Sequence, residues 1–338
     1  MATKTSAAPK DAKFTVGLIC ALPLEAAAVC AMLDKPYDAP ARSGNDNNAY
    51  DLGKIHEHNV VIASLPAGCM GNDTAAIVAN DMVRTYGETL RVCLLIGVAG
   101  GIVENEDVRL GDVVVGFPRE KSSGVIQYDF GKHEDDEIRL TGHLNKPPPI
   151  ILSALSKLIR HHLNNEPNFP VYLRNAIQKN NSTRRHFAYP GLNADRLFKA
   201  ECIHPLKEKT CNNCPEDWEE DRKPRESQDP VVHYGTIASG NAVIKNSSAR
   251  KRLSEKAEGA LCLEMEAAGL SKAFPCLVIR GICDYADSHK NKQWRGYAAM
   301  AAAAFAKEFL SHLPAEEVSS QPTVQEIWSE LLPPLYAK

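Results

Sequence analysis

Along this chain the hydrophobic positions come in blocks. Runs of strand length, several of them apolar on both faces, occur at "FTVGLIC" from Phe14, "NVVIASL" from Asn59, "RVCLLIGV" from Arg91, "GDVVVGF" from Gly111, "VHYGTIAS" from Val232 and "CLVIRGIC" from Cys276. A strand with no polar face must be covered on both sides, as parallel strands are in α/β proteins. Between these runs, helical patterns are predicted at 22–33, 72–86, 149–163, 245–257, 265–273 and 296–312. The alternation predicts an α/β fold: a three-layer αβα sandwich around a central mixed, mostly parallel sheet.

Three stretches depart from the pattern. Residues 1–12 are polar and predict a disordered N-terminal tail ahead of a domain at 13–313. Residues 164–230 are rich in Asn, Pro and charged side chains and predict a surface insert. From Pro314 the chain predicts a linker followed by a short amphipathic segment at 314–338.

Composition narrows the function classes. With 39 basic and 42 acidic residues among 338, no global field draws the protein to nucleic acid or to an anionic membrane, so neither is an expected partner. The start lacks an apolar signal core, and the alanine-rich run from Tyr297 is too short to span a bilayer, so a soluble, cytoplasmic protein is expected. Most of the ten cysteines lie in apolar runs and read as reduced core thiols. In the insert, "CIHPLKEKTCNNC" offers Cys202, His204, Cys211 and Cys214. These read either as a zinc set or, given the short spacing, as loop cysteines without metal.

Polar residues just past strand ends are where an open α/β sheet places its ligand. Here they are Glu25 after the first run, the "IGVAGGI" glycines, "SGNAVI" from Ser239, and the acids Glu266 and Asp284. Any one such acid is more often a helix cap or an ion-pair partner, and Glu264 is expected to pair with Arg280.

In order, "ALPLE", "GVAGG", "SGNAVI", "EMEAAG" and "RGICDYAD" resemble the nucleoside phosphorylase and nucleosidase superfamily. The resemblance is to its hydrolytic branch, typified by methylthioadenosine/S-adenosylhomocysteine nucleosidase, and is nearest to the purine nucleosidase domain that opens many fungal NLR-type immune receptors. It implies a nucleoside phosphorylase-like fold and assigns roles. Asp284 protonates N7 of the departing base, for which it must hold a proton at the end of its apolar strand. Glu25 activates water. Glu266 grips the ribose hydroxyls, with Met265 packed on the sugar. Val98, Ala99 and Gly100 surround the anomeric carbon. Ser239, Asn241 and the backbone at Val243 and Ile244 read the base. No cofactor or catalytic metal is implied, and a homodimer or higher homo-oligomer is.

The chemistry is coherent, because two carboxyl groups in unlike settings can both neutralise a leaving purine and deliver water to an oxocarbenium-like sugar. A phosphorylase of this superfamily needs arginine to hold phosphate. The loop "CALPLEAAAV" has none and carries a glutamate instead. Departures from the hydrolase pattern are Val98 and Cys283, each where serine is common, and Asn241 in place of aspartate.

After Asp284 comes "DSHKNKQWRGYAA". Trp294 matches the aromatic residue that lines an apolar 5′ pocket in methylthioadenosine nucleosidases, but here His289, Lys290, Lys292 and Arg295 surround it. The insert adds Arg184, Arg185, Arg196, Lys207, Arg222 and Arg225. Such a loop suits phosphates. The expected substrate is therefore a small-molecule adenine nucleotide, ATP, cleaved to adenine and ribose 5′-triphosphate. The alternatives are an adenosine nucleosidase, a phosphorolytic enzyme, or a non-catalytic nucleotide-sensing or effector module of an immune receptor. Intact Glu25, Glu266 and Asp284 favour the enzyme.

Overall fold

Each of the six apolar runs becomes a strand in a computed structural model that describes residues 5–39, 44, 46–119, 122–134, 137–140, 144–205, 207–208 and 210–331. In chain order the elements begin with β1 (Val16–Cys20), α1 (Pro23–Ala31), β2 (Lys35–Tyr37), β3 (Tyr50–Ile55), β4 (His58–Ser64), α2 (Asn72–Tyr86), β5 (Val92–Gly101), β6 (Val113–Gly116) and β7 (Val125–Gln127). A separate antiparallel pair, β8 (Gly131–Glu134) and β9 (Glu137–Leu140), precedes α3 (Pro149–Asn164), α4 (Phe169–Gln178) and α5 (Asn181–Phe187). The chain continues through β10 (Val232–Gly235), β11 (Ile237–Ser239), α6 (Ser247–Lys256), β12 (Cys262–Glu264), α7 (Ala267–Ala273) and β13 (Leu277–Asp284), and ends with α8 (Arg295–Ser311), α9 (Ala315–Ser319) and α10 (Val324–Leu331).

The main sheet runs β10-β6-β13-β5-β1-β4-β3-β2. Its centre is parallel, with β5 between β1 and β13, while β2, β3 and the β6–β13 pair are antiparallel. The apolar run at 232–239 splits at Thr236. Its first half pairs with β6, and its second half crosses to join β12 and β7. β12 in turn runs antiparallel to Gly100 and Gly101 at the end of β5. The carboxyl end of the central strand is thereby enclosed by a second branch of sheet, and this branch carries Glu264 and leads directly to Glu266.

Side-chain period two explains the layers. Val92, Leu94 and Ile96 of β5 join a core with α1, α3, α4 and α8, while Cys93 and Leu95 face the opposite core with α2 and α7. The alanines of α8 let it lie close on β13, where a side chain on Gly281 would run into the Ala298 carbonyl.

The structure revises the edges of the sequence reading. Within the predicted insert, α4 packs on α8 and buries Phe169 and Leu173 in the main core. Buried Glu308 of α8 caps α4, accepting from the Asn168 and Phe169 amides at 2.8 and 2.9 Å. Residues 5–12 are not free of the domain: Ser6 bridges to Tyr37, and Ala8 and Ala12 pack on the core beside Phe14. The segment after Pro314 folds back, with Val324 buried and its amide bonded to the Leu90 carbonyl at 2.9 Å. Among the described residues, no helix is long and apolar enough to cross a membrane.

Candidate active site

A cavity of about 140 Å³ opens at the carboxyl ends of β1, β5, β12 and β13, and Glu25, Glu264, Glu266 and Asp284 all line it. These acids come from three separate stretches of the chain and are each almost fully buried.

Glu25 stands in the first turn of α1, where Pro23 and the preceding strand end fix the direction of the helix. Its Oε2 accepts from the amides of Ala21 and Leu22, both at 2.8 Å, and its Oε1 from Val98 at 2.8 Å. Burial raises its pKa, outweighing Arg280 and these three amide bonds, which favour the ionised form.

Asp284 ends β13 at an irregularity. Ile282 pairs with Ala99 and Asp284 with Gly100, so Cys283 is the extra residue of a β-bulge. A bulge re-aims the side chain that follows it, and here Asp284 faces Gly100, where a Cβ would come within 2.8 Å of Oδ1. Ala286 sits at φ +50, a left-handed conformation costly for alanine, and in that turn its amide donates to Asp284 Oδ1 at 2.9 Å. Lys290 Nζ lies 2.9 Å from Oδ2, and Cys283 Sγ donates to the same oxygen at 3.3 Å.

Glu264 and Glu266 are two residues apart and do different work. Glu264 pairs with Arg280 and accepts from the amides of Glu266 and Ala267 at 3.0 Å, capping α7. Glu266 turns into the cavity, accepting from Gly71 N at 3.3 Å with Arg280 Nη2 3.4 Å away. Burial, with Glu264 and Glu25 adding to it, pushes Glu266 up to about 7 against the pull of Arg280.

Arg280 is the residue that reading the sequence undervalued. Fully buried on β13, it faces all three glutamates, which keep it charged more firmly than usual although burial opposes this. Its Nη2 is occupied by Glu264 and Glu266, while Nη1 has no hydrogen-bond partner among the described residues. A Cβ on Gly97 would overlap Nη1 and come within 2.8 Å of Glu25 Oε1, so both groups crowd the same side of that glycine. The signal in the sequence was a lone arginine inside an apolar strand, which demands buried acids nearby.

Of the other predicted residues, Met265, Val98, Ala99, Gly100, Val243, Ile244, Lys290 and Arg295 line the cavity. Ser239 and Asn241 do not. Ser239 Oγ ties β11 to Asn72 Oδ1 and the Ala268 amide at 3.2 and 3.0 Å, and Asn241 Oδ1 accepts from Asn72 N at 3.0 Å. Trp294 is withdrawn into the core against Tyr189 and Tyr297, its Nε1 donating to the Ala194 carbonyl at 2.9 Å. Lys292 is exposed, and His289 faces a neighbouring cavity behind Asp284.

Three of the six predicted insert cations are committed elsewhere. Arg196 bonds Glu219 at 2.7 Å, Arg222 bonds the Tyr285 hydroxyl at 2.8 Å, and Arg225 bonds Asp112 at 2.6 Å, while Arg184, Arg185 and Lys207 are exposed. The cations on the cavity wall are thus Lys290 and Arg295.

The sequence model of the phosphorylase superfamily matches residues 15–311. The chain belongs to that superfamily. It is 42% identical over 309 residues to a nucleotide-binding leucine-rich repeat (NLR)-like protein of Hyaloscypha variabilis, a match covering 91% of this chain and 30% of that protein. The chain therefore spans about a third of the length of that relative. It is 24% identical over 313 residues to the 5′-methylthioadenosine/S-adenosylhomocysteine nucleosidase of Mycobacterium bovis, covering 89% of this chain and 97% of the other. Over 87 residues, 24% of this chain and 17% of the other, it is 34% identical to the ATP nucleosidase Cap17 of Escherichia coli. Among solved structures, futalosine hydrolase of Helicobacter pylori shares the fold with a TM-score of 0.57 at 16% identity, covering 88% of this chain and 98% of its own.

Proposed function

We propose that this phosphorylase-superfamily chain is a purine N-ribosidase that hydrolyses ATP to adenine and ribose 5′-triphosphate. One arrangement carries the reading: Glu25, Glu266 and Asp284 line a single cavity whose wall also holds Lys290 and Arg295. The names of two relatives, a methylthioadenosine/S-adenosylhomocysteine nucleosidase and an ATP nucleosidase, agree with it.

The water oxygen bonds to C1′ as the C1′–N9 bond breaks. Glu25 takes a proton from the water, and Asp284 gives one to N7, so the purine departs neutral. Arg280 Nη1, on the same side of Gly97 as Glu25 Oε1, supplies a donor where Glu25 supplies an acceptor, a pairing suited to orienting water. Glu266 accepts from the ribose hydroxyls, and the lining backbone from Ala242 to Ile244 meets the base.

Lys290 links the two ends of the substrate. Without ligand it neutralises Asp284. A triphosphate that draws the ammonium away would free Asp284 Oδ2 to face N7 of the base.

The test is chromatography of products from ATP, AMP and adenosine side by side, with and without inorganic phosphate. Adenine should leave ATP roughly ten-fold or more faster than adenosine, as one charge-assisted contact allows, and without need of phosphate. Equal turnover of adenosine and ATP sinks the nucleotide preference, and phosphate dependence makes the enzyme a phosphorylase. Binding of ATP with no adenine released from any of the three leaves a nucleotide-sensing module.

A further inference from the structure

Behind Asp284, between the insert and the loop 285–291, a second cavity is bounded by Arg196, Phe198, Cys211, His289 and Asn291. Beside it stands a group of side chains that the proposed reaction does not use. Ligand atoms of His204, Cys211 and Cys214 lie within 4.8 Å of one another, and neither Cys202 nor His289 is among them. We propose that His204, Cys211 and Cys214 form a structural zinc site, with His289 as its fourth ligand, stapling the insert to the loop after β13.

Several independent features converge there. The Cys211–Cys214 turn closes with its own amide bond, Cys214 N to Cys211 O at 3.0 Å. Arg196 clamps both carbonyls of that turn, Cys211 O through Nη1 and Cys214 O through Nη2 at 2.8 Å. The turn is therefore held whether or not the thiols bond to anything, and both cysteines are buried against Phe198.

His204 Nε2 lies 3.1 Å from the Thr210 carbonyl. A carbonyl only accepts, so the proton is on Nε2 and the lone pair is on Nδ1. A metal-bound histidine characteristically donates its other ring N–H to such an oxygen.

His289 stacks flat on Phe198, 3.8 Å between ring centroids, and stands edge-on to His204 at 5.2 Å. Its Nε2 is buried with no hydrogen-bond partner among the described residues. An orphaned buried ring nitrogen on a cavity wall shared with Cys211, with the His204 ring edge-on to it, calls for a ligand. Two thiolates and two imidazoles suit tetrahedral zinc, with Zn–S about 2.3 Å and Zn–N about 2.0–2.1 Å, which places neighbouring donors roughly 3.5–3.8 Å apart. The three clustered donors reach that spacing by closing in about 1 Å, and the His289 ring, outside the cluster, would swing towards them to complete the set. Because His289 precedes Lys290, the ion would also set where the cavity's lysine stands.

The proposal is tested on the full chain purified under reducing conditions. Elemental analysis should find about one zinc per chain, removable by a strong chelator and restored by zinc alone. Cobalt exchange should give the intense visible bands of a tetrahedral site with two thiolates. Cys211→Ser with Cys214→Ser should lose the metal, and Cys202→Ser should keep it. His289→Ala should weaken zinc binding about 10–100-fold, the scale of a lost supporting or ligating imidazole. If the wild-type protein holds less than about a tenth of a zinc per chain and takes up no cobalt, the site does not exist; this readout needs no variant to fold. Loss of zinc in Cys202→Ser, an unchanged cobalt spectrum in His289→Ala, or a Cys211–Cys214 disulfide in the reduced preparation would each overturn the ligand set.

Discussion

The Lys290 ammonium stands 2.9 Å from Asp284 Oδ2, so the cation we propose meets a phosphate is also the counter-ion of the acid we propose protonates the base. Replacing it separates the two roles. In Lys290→Met, kcat/KM for ATP should fall about 10- to 100-fold, the value of one charge-assisted hydrogen bond, while adenosine turnover should not fall. Steady-state kinetics on both substrates decides. An equal loss on both would mean that Lys290 serves Asp284 and not the phosphates.

Asp284→Asn keeps an oxygen to accept the Ala286 amide but has no proton to deliver to N7. The expected drop in kcat is about 10²- to 10⁴-fold, the contribution of a positioned general acid, with ATP affinity by calorimetry little changed. Unimpaired adenine release from this variant would remove Asp284 from the mechanism.

Gly97→Ala adds one methyl where Arg280 Nη1 and Glu25 Oε1 already crowd the backbone. Neither group can yield, since Arg280 is bound to Glu264 and Glu25 to three amides. A cost of about 1–3 kcal/mol in stability is expected for such overpacking, together with a large loss of kcat. Denaturant melts and product analysis on the same sample would show whether the two losses come together.

Burial holds Glu266 at about 7. A carboxyl raised in the folded state binds its proton more tightly there than in the unfolded chain. Its contribution to stability is thus full below the ordinary value near 4.3 and is lost as pH rises to about 7. Glu266→Gln has no such term, so its melting temperature relative to wild type should climb between pH 5 and pH 8. Ribose binding should weaken at all pH values in the variant, and in wild type as pH falls below about 7. A constant difference in melting temperature across that range would contradict the raised Glu266.

Trp294 is structural in this arrangement. Trp294→Ala should cost about 3–5 kcal/mol, as for other large buried aromatics, and leave the preference among ATP, AMP and adenosine unchanged. Chemical denaturation and the ratio of turnover rates report the two halves separately. A shift in substrate preference would return the indole to the 5′ pocket.

Much of this protein was legible from sequence. Runs apolar on both faces read as covered strands, so the central strands and six of the helices could be placed from period and length. Short strands such as β2 and β3 and the helices α4 and α5 could not. Acids closing the apolar runs at Glu25, Glu266 and Asp284 pointed to a site at the strand ends. Those are local properties. What a side chain faces is not local. Glu264 and Glu266 look equivalent in "CLEMEAAG", and only the pairing of β12 with β11 and β5 sends one to Arg280 and the start of α7, the other into the cavity. Trp294 sits in a cationic stretch, yet its position is set by Tyr189 and Ala194, about a hundred residues earlier. The bulge at Cys283 that aims Asp284 and the folding back of the last described helix likewise depend on partners distant in the chain. Sequence determined the elements and the kinds of chemistry at their ends, because burial and periodicity are written residue by residue. The tertiary structure decided which of those groups meet, because contact is settled only when segments far apart in the chain pack together.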